Sequence, residues 1–335
     1  MNIYKILKLS KRIHNPYINL AGIFVFHVLR RRYLGVFLDP ALACNLRCQM
    51  CHFSDDGYRK ALTRKILNME QIEKISNGFF HRALKLQIGC AAEPTVYKDL
   101  ASIIKLGKQK QIPYISLTTN ANLLNPELLE DYLHAGLDEI TISLHGVYKQ
   151  TYEKLMANAN YEKFHSALKI ISEAKKTHNL KLRINYTMNA DNIDELKDFF
   201  QVFGHIDIDS LQMRPIVKQG NTAYANFDHT EIINKYDVIL AKIREEALKR
   251  NITCIAPLKN QLIEQENSSL NENITQSTYC YISPGYAWRK DYDLENDTFE
   301  SYSKRTRAAF LLFKNIFKRN RVHSKNKRHF KYDIN

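Results

Sequence analysis

The stretch Val36-Phe37-Leu38-Asp39-Pro40-Ala41-Leu42-Ala43-Cys44-Asn45-Leu46-Arg47-Cys48-Gln49-Met50-Cys51-His52 passes from an apolar run straight into a loop holding three cysteines. Short apolar runs bounded by turn residues read as buried strands, so a strand is expected over Val36–Ala43 with the cysteines just after it. Cys44, Cys48 and Cys51 stand at offsets of four and three. Soft thiolates so spaced can close around one metal cluster from a single loop. A zinc site with His52 as fourth ligand is the competing reading. It would crowd four ligands into nine consecutive residues, whereas structural zinc sites usually draw pairs from separated turns.

Downstream of this loop, strand-like runs alternate with helical patterns as far as about Pro215, the mark of βα units and a parallel sheet. The further expected strands are Leu84–Gly89, Tyr114–Thr119, Glu139–His145, Lys181–Thr187 and Ser210–Arg214. Helices are expected near 69–80, 97–109, 126–136, 162–176, 192–203 and 229–249, with Asn125-Pro126 and Asp191 or Asn192 as helix starts. Residues 260–280, rich in Asn, Ser and Gln, read as a surface loop or linker.

Five of these strands carry polar residues at every second position: Lys85, Gln87 and Gly89; Ser116, Thr118 and Asn120; Thr141, Ser143 and His145; Arg183, Asn185 and Thr187; Gln212 and Arg214. Alternate residues face opposite sides of a sheet. The apolar set can therefore pack under helices while the polar set lines a shared interior. A closed eight-stranded barrel fills its interior with Val, Ile and Leu, so a polar interior points to an open or partial barrel around a polar cofactor and substrate. An antiparallel sheet with one wet face is the alternative; the helices between successive strands count against it.

The chain has 335 residues, 44% of them apolar and 25% charged, a globular composition with room for a large core. Six scattered cysteines do not form a secreted disulfide framework, and a reducing, cytoplasmic compartment is expected. The formal charge of +14 resides at the ends: residues 1–33 hold seven Lys or Arg and no acid, and residues 302–335 hold eleven and one Asp. The body between is slightly acidic. No signal peptide is evident, and the longest apolar stretch, Ile23 to Leu29, is far short of the roughly 20 residues of a membrane span.

The Cys-x3-Cys-x2-Cys loop after a first strand resembles the radical S-adenosylmethionine (SAM) superfamily. The resemblance covers about residues 34–216 and implies an α/β fold, a partial (β/α)6 TIM-type barrel, with helical, basic N- and C-terminal extensions. It implies that Cys44, Cys48 and Cys51 bind three irons of one [4Fe-4S] cluster, leaving the fourth iron for the amino and carboxylate groups of SAM. Reductive cleavage of SAM would then release a 5′-deoxyadenosyl radical that abstracts hydrogen from a substrate. A reducing donor such as flavodoxin or ferredoxin is implied as a partner. Many members have an aromatic residue where this chain has Met50.

Further motifs extend the likeness. Ile88-Gly89-Cys90-Ala91-Ala92-Glu93-Pro94 resembles the family's Gly-Gly-Glu-Pro segment, which makes Glu93 an acceptor for the SAM ammonium and Gly89 and Ala92 neighbours of the cofactor; the family's glycines are alanines here. Thr118-Thr119-Asn120-Ala121-Asn122-Leu123-Leu124 looks like Thr-Asn-Gly-x-Leu-Leu, placing Asn120 at the cofactor cleft. Ile142-Ser143-Leu144-His145-Gly146 resembles Ser-Leu-Asp-Gly, which gives Ser143 a SAM contact, with His145 in place of the usual Asp. Arg183, Asn185 and Arg214 are candidates for the SAM carboxylate or the substrate because their alternation points them inward. Leu211-Gln212-Met213-Arg214-Pro215 resembles the sixth strand of the peptide-modifying and molybdenum-cofactor-type branch.

That branch often carries a cysteine-rich SPASM or twitch extension. Here only Cys254 and Cys280 follow residue 216, so a single cluster is expected, with Tyr279–Gly285 as a degenerate remnant. The expected division is a basic extension over 1–33, the barrel over 34–216, a helical and irregular region over 217–301 and a basic tail over 302–335. The apolar and basic residues near 3–13 and 307–319 suit an anionic membrane surface. No nucleic-acid module accompanies them, which disfavours nucleic acid as the partner. The substrate, whether peptide, sugar or lipid-linked intermediate or small metabolite, is not identified by sequence. A non-catalytic iron–sulfur or zinc scaffold is the alternative function.

Overall fold

The computed structural model describes residues 15–263, 266–319, 322–324 and 332–334; the expected amphipathic segment at 3–13 lies outside them. Helix α1 (Pro16–Val28) precedes strand β1 (Leu34–Leu38). There follow α2 (Met69–Phe79), β2 (Ala83–Ile88), α3 (Leu100–Gln109), β3 (Ile115–Thr119), α4 (Pro126–His134), β4 (Glu139–Leu144), α5 (Tyr161–Ala174), β5 (Lys181–Met188) and β6 (Ser210–Pro215). After these come α6 (Thr230–Lys249), β7 (Thr253–Pro257), α7 (Ser269–Thr278), β8 (Tyr279–Ser283), α8 (Phe299–Arg305) and α9 (Ala308–Ile316).

Strands β1 to β7 pair side by side in chain order, and β8 joins β1 on its other side; every one of these pairings is parallel. The two ends of this array do not pair with each other. Each is covered by a short antiparallel strand, Tyr286–Ala287 on β8 and Tyr332–Ile334 on β7. The result is the expected α/β partial barrel with open sides, extended from six parallel strands to eight because Thr253–Pro257 and Tyr279–Ser283 add to its two edges.

Periodicity explains the layers. In β5, Leu182, Ile184, Tyr186 and Met188 are buried while Lys181, Arg183, Asn185 and Thr187 are half-buried, so one face packs under helices and the other lines the barrel. Helix α4 begins where expected: Pro126 fits its first turn and the Asn125 side chain accepts the Leu128 N–H at 2.8 Å. Helix α2 carries a capping box in which Asn68 and Gln71 satisfy each other's backbone N–H groups.

Three expectations need correction. The first strand spans Leu34–Leu38, not Val36–Ala43, because the chain turns at Asp39-Pro40, where the Asp39 carboxylate takes up backbone N–H groups of another loop. Residues 192–203 form a 3-10 turn (Ile193–Asp198) and a short helix (Phe199–Phe203), and Asn192 does not cap them. Its side-chain amide instead donates to the carbonyls of His145 and Thr187, tying the ends of β4 and β5 together. The supposed linker at 260–280 contains a short helix at Lys259–Ile263, α7 and the start of β8. Within α7, Thr275, Ser277 and Thr278 bond back to carbonyls four residues earlier, so its polar composition is absorbed inside the helix.

Candidate active site

The cysteine loop leaves the C-terminal end of β1 and is stapled on both sides. Leu42 N–H donates to Lys65 O at 2.7 Å, and the Ala43 carbonyl accepts from Glu93 N–H at 3.0 Å. Arg47-Cys48 pairs antiparallel with Met156-Ala157, and Arg47 Nη1 donates to the carbonyls of Cys44 and Leu46, both at 2.7 Å. Cys51 N–H closes a turn on Cys48 O at 2.9 Å. Met50, the residue that departs from the family pattern, is buried, and His145 Nδ1 lies 2.9 Å from its sulfur. Burial holds the His145 pKa down at about 4, so the imidazole is neutral at physiological pH.

Glu93 is buried and saturated with donors. One oxygen accepts from the Thr95 and Thr119 hydroxyls, both at 2.6 Å, and from Thr95 N–H at 3.2 Å; the other accepts Asn120 N–H at 2.7 Å. Burial raises its pKa and these bonds oppose the rise. Asn120 carries the order onward: its Nδ2 donates to Asn45 Oδ1 at 2.9 Å and lies 3.9 Å from Cys44 Sγ. Asn122 and the buried Tyr152 brace it from behind, bonded to each other at 2.8 Å.

The replaced glycines behave differently from one another. Gly89 keeps a left-handed backbone, and a Cβ there would stand 2.4 Å from Thr118 O, so only glycine fits. Ala91 and Ala92 take ordinary backbone angles, whereas Ala121 is left-handed at φ 64°. The N–H groups of Cys90 and Ala91 reach the buried Asp39 carboxylate at 2.8 and 3.0 Å, joined by the Tyr281 hydroxyl at 2.8 Å. Ala92 N–H also donates to this carboxylate.

Below the loop the inward polar residues do not all serve the interior alike. Arg183 forms a double contact with the fully buried Glu139, at 3.0 and 3.2 Å, and Glu139 also accepts the Tyr114 hydroxyl at 2.8 Å. Burial pushes the Lys85 pKa down to about 8. Ser143 is half-buried with no hydrogen-bond partner among the described residues, and Asn185 Oδ1 is a buried acceptor that no donor reaches. Arg214 is exposed at the mouth. A cavity of about 280 Å³ lies elsewhere, under α1, α7, α8 and α9, and takes no lining from the cysteine loop.

Sequence reasoning singled out Lys85 as an inward residue but no role for Asp39, Glu139, Asn122, Tyr152 or Tyr281. Asp39 follows an apolar run and could have been flagged; Tyr281 lies in the stretch Tyr279–Gly285, which by sequence reads only as a degenerate remnant, and nothing local ties it to Asp39.

The three thiols fit a cluster. They are unpaired, half-buried and near enough to act on one another electrostatically, and burial pushes Cys44 up to about 11 and raises Cys48 and Cys51. Such thiols become thiolates only against strong positive charge, which metal supplies. Among the described residues no group of three His, Cys, Asp or Glu side chains is arranged to hold a metal ion, the cysteine triad included, so this geometry by itself favours neither zinc nor a cluster. His52 is turned instead toward Gln219, 3.3 Å away, and packs on Tyr58.

A family model described as the Radical SAM superfamily matches residues 39–203. Residues 39–203 belong to the radical SAM superfamily. Membership carries with it the superfamily's cofactors, SAM and a [4Fe-4S] cluster. It is similar to a probable GTP 3′,8-cyclase of Saccharolobus solfataricus, 27% identical over 197 residues that make up 58% of this chain and 61% of the relative. A probable GTP 3′,8-cyclase of Sulfolobus acidocaldarius is 29% identical over 220 residues, 63% of this chain and 67% of that one. These likenesses agree with the molybdenum-cofactor-type branch suggested by Leu211–Pro215. The radical SAM chain spans about three-fifths of the Saccharolobus relative's length. Among solved structures, SuiB of Streptococcus suis bound to SAM superposes with a TM-score of 0.62 at 14% identity, covering 81% of this chain and 65% of that chain. Native anSMEcpe with bound AdoMet gives 0.54 at 17% identity, covering 65% and 63%. At these identities the likeness is one of fold.

Proposed function

We propose that this enzyme cleaves SAM reductively and passes hydrogen-atom abstraction to a substrate held inside the open barrel. The observation that carries this reading is the placement of Cys44, on one loop with Cys48 and Cys51, beside Asn120 at the rim of a polar interior. Bound through these cysteines, the cluster supplies the electron that breaks the carbon–sulfur bond of SAM.

The chain's own residues bind, orient and exclude water. Asn120 donates toward the Cys44 sulfur, a contact that tunes such centres. Glu93 keeps acceptor capacity on the oxygen that bonds Asn120, so it can take the SAM ammonium while holding the loop together. Gly89 and Ala92 bring backbone close, and Ser143 and Asn185 offer side-chain groups without partners. Arg183 is engaged by Glu139, which leaves Lys85 and Arg214 as the cations for a substrate bearing a carboxylate or phosphate. The name GTP 3′,8-cyclase given to the relatives suits an anionic substrate. We take residues 34–216 as the part that carries the chemistry, in the cytoplasm, with flavodoxin or ferredoxin as the electron source.

The test is anaerobic reconstitution with iron and sulfide followed by dithionite and SAM. Formation of 5′-deoxyadenosine and methionine is expected. Protein that retains zinc but neither iron nor sulfide, and forms no 5′-deoxyadenosine, would favour the scaffold reading. Arg214→Gln should leave substrate-free SAM cleavage intact and remove its stimulation by an anionic substrate.

A further inference from the structure

Helices from opposite ends of the chain meet on one side of the barrel. Phe24 of α1 contacts Phe313 of α9 with ring centroids 5.5 Å apart, and Phe313 contacts Phe317 at 5.0 Å. Pairing would normally hide the apolar faces of two such helices. Here it does not: nine of the seventeen large apolar side chains exposed among the described residues lie on or next to these two short helices. On α1 the exposed stripe is Ile18, Gly22, Val25, Phe26 and Leu29, one face at helical spacing. On α9 it is Phe310, Phe313 and Phe317, with Phe317 73% exposed.

The charge on these two helices and their flanking residues has one sign. Arg30, Arg31, Arg307, Lys314, Lys318 and Arg319 border the face, all exposed, and residues 15–33 and 306–319 contain no Asp or Glu. In the sequence, residues 1–14 carry Lys5, Lys8, Lys11 and Arg12 and no acid. Apolar insertion with a cationic rim is the chemistry of an anionic bilayer surface. Phe26, Phe310, Phe313 and Phe317 could stack on bases, but the aliphatic Ile18, Val25 and Leu29 on the same face have no such use and favour a bilayer, while uniform positive charge opposes pairing with a second copy.

The cavity beneath the pair adds a second observation. It is lined by Leu311, Leu312, Arg289, Trp288 and Ser303, among others. Trp288 and Ser303 are more than nine-tenths buried, yet Trp288 Nε1 and Ser303 Oγ have no hydrogen-bond partner. Two such donors beside an arginine suit the oxygens of a lipid phosphate.

We propose that the α1–α9 face docks on an anionic bilayer, with a headgroup phosphate reaching the Trp288 cavity. Arg32 secures this layer to the barrel, donating to the carbonyls of Phe80, Ala83 and Lys110. Those carbonyls lie at the N-terminal ends of β2 and β3, so docking leaves the cysteine loop free. The proposal is independent of the radical chemistry.

The test is flotation of the full chain with vesicles of phosphatidylglycerol and phosphatidylcholine, against pure phosphatidylcholine. Binding to the anionic vesicles alone is expected, with a shift in the emission of Trp288, the chain's single tryptophan. Phe310→Asp with Phe317→Asp should weaken binding by more than about tenfold, and so should Lys314→Glu with Lys318→Glu and Arg319→Glu. Circular dichroism equal to wild type shows that these surface variants fold. Undiminished binding by folded variants, no vesicle binding, or salt-sensitive RNA binding in its place overturns the proposal. Vesicle binding without any change at Trp288 overturns the headgroup site.

Discussion

The Glu93 carboxylate holds the backbone N–H of Asn120 at 2.7 Å, and the side-chain amide of Asn120 in turn reaches the cysteine loop at Asn45 and Cys44. Order at the sulfur ligands is thus set from the ends of two neighbouring strands. Replacing the carboxylate by an amide turns one acceptor oxygen into a donor facing donors. Glu93→Gln should therefore destabilise the fold by about 1–3 kcal/mol, read from denaturant midpoints. It should also reduce SAM binding more than iron content, since it leaves the thiols in place. An unchanged midpoint would remove Glu93 from this role.

Single replacements of Cys44, Cys48 or Cys51 by Ser should each take iron from about four atoms per chain to near zero after anaerobic reconstitution. Cys90→Ser, by contrast, should keep the full complement, because Cys90 is exposed and apart from the loop triad. Iron near eight atoms per wild-type chain would contradict a single cluster.

Lys85 gives the fold a pH dependence of known sign. Its folded pKa of about 8 lies below the ordinary 10.5 because burial penalises the ammonium. Between those values the unfolded chain binds more protons than the folded one, so stability should rise with pH from about 8 to 10.5 and the penalty be fully present below 8. Lys85→Met should flatten that rise and stabilise the protein at pH 7 by about 1–3 kcal/mol, measured by urea unfolding across the window. A rise that persists in the variant would assign it to another group.

Tyr281→Phe removes one of the donors to the buried Asp39, leaving the backbone N–H groups of Cys90 and Ala91 in place. The expected loss is about 1 kcal/mol. Because that bond favours the ionised carboxylate, its removal should raise the Asp39 pKa further, so the loss should be full at neutral pH and shrink as the pH falls and Asp39 becomes protonated in both states. A loss of stability as large at acid pH as at pH 7, read from urea midpoints, would refute the assignment.

Much of the barrel was legible because its signals are local. The alternation of Lys181, Arg183, Asn185 and Thr187 with Leu182, Ile184, Tyr186 and Met188 marks two faces with no knowledge of the neighbouring strands. Asn125-Pro126 marks a helix start through its own side chain. Strand β8 was hidden because it is short and follows a polar helix whose Ser and Thr groups bond internally. Arg183 was visible as inward-facing, but its engagement by Glu139 was not, since the sequence separates the two by more than forty residues.

The sequence by itself determined the thiol triad and the polar lining of the sheet, because spacing within a loop and period within a strand are properties of adjacent residues. Only the tertiary structure decided that Tyr281 reaches Asp39, that Glu139 occupies Arg183, and that the first and last described helices share an uncovered apolar face. Those relationships join residues tens to hundreds of positions apart, and the order in which strands and helices come to lie side by side, which no local pattern encodes, brings them within reach.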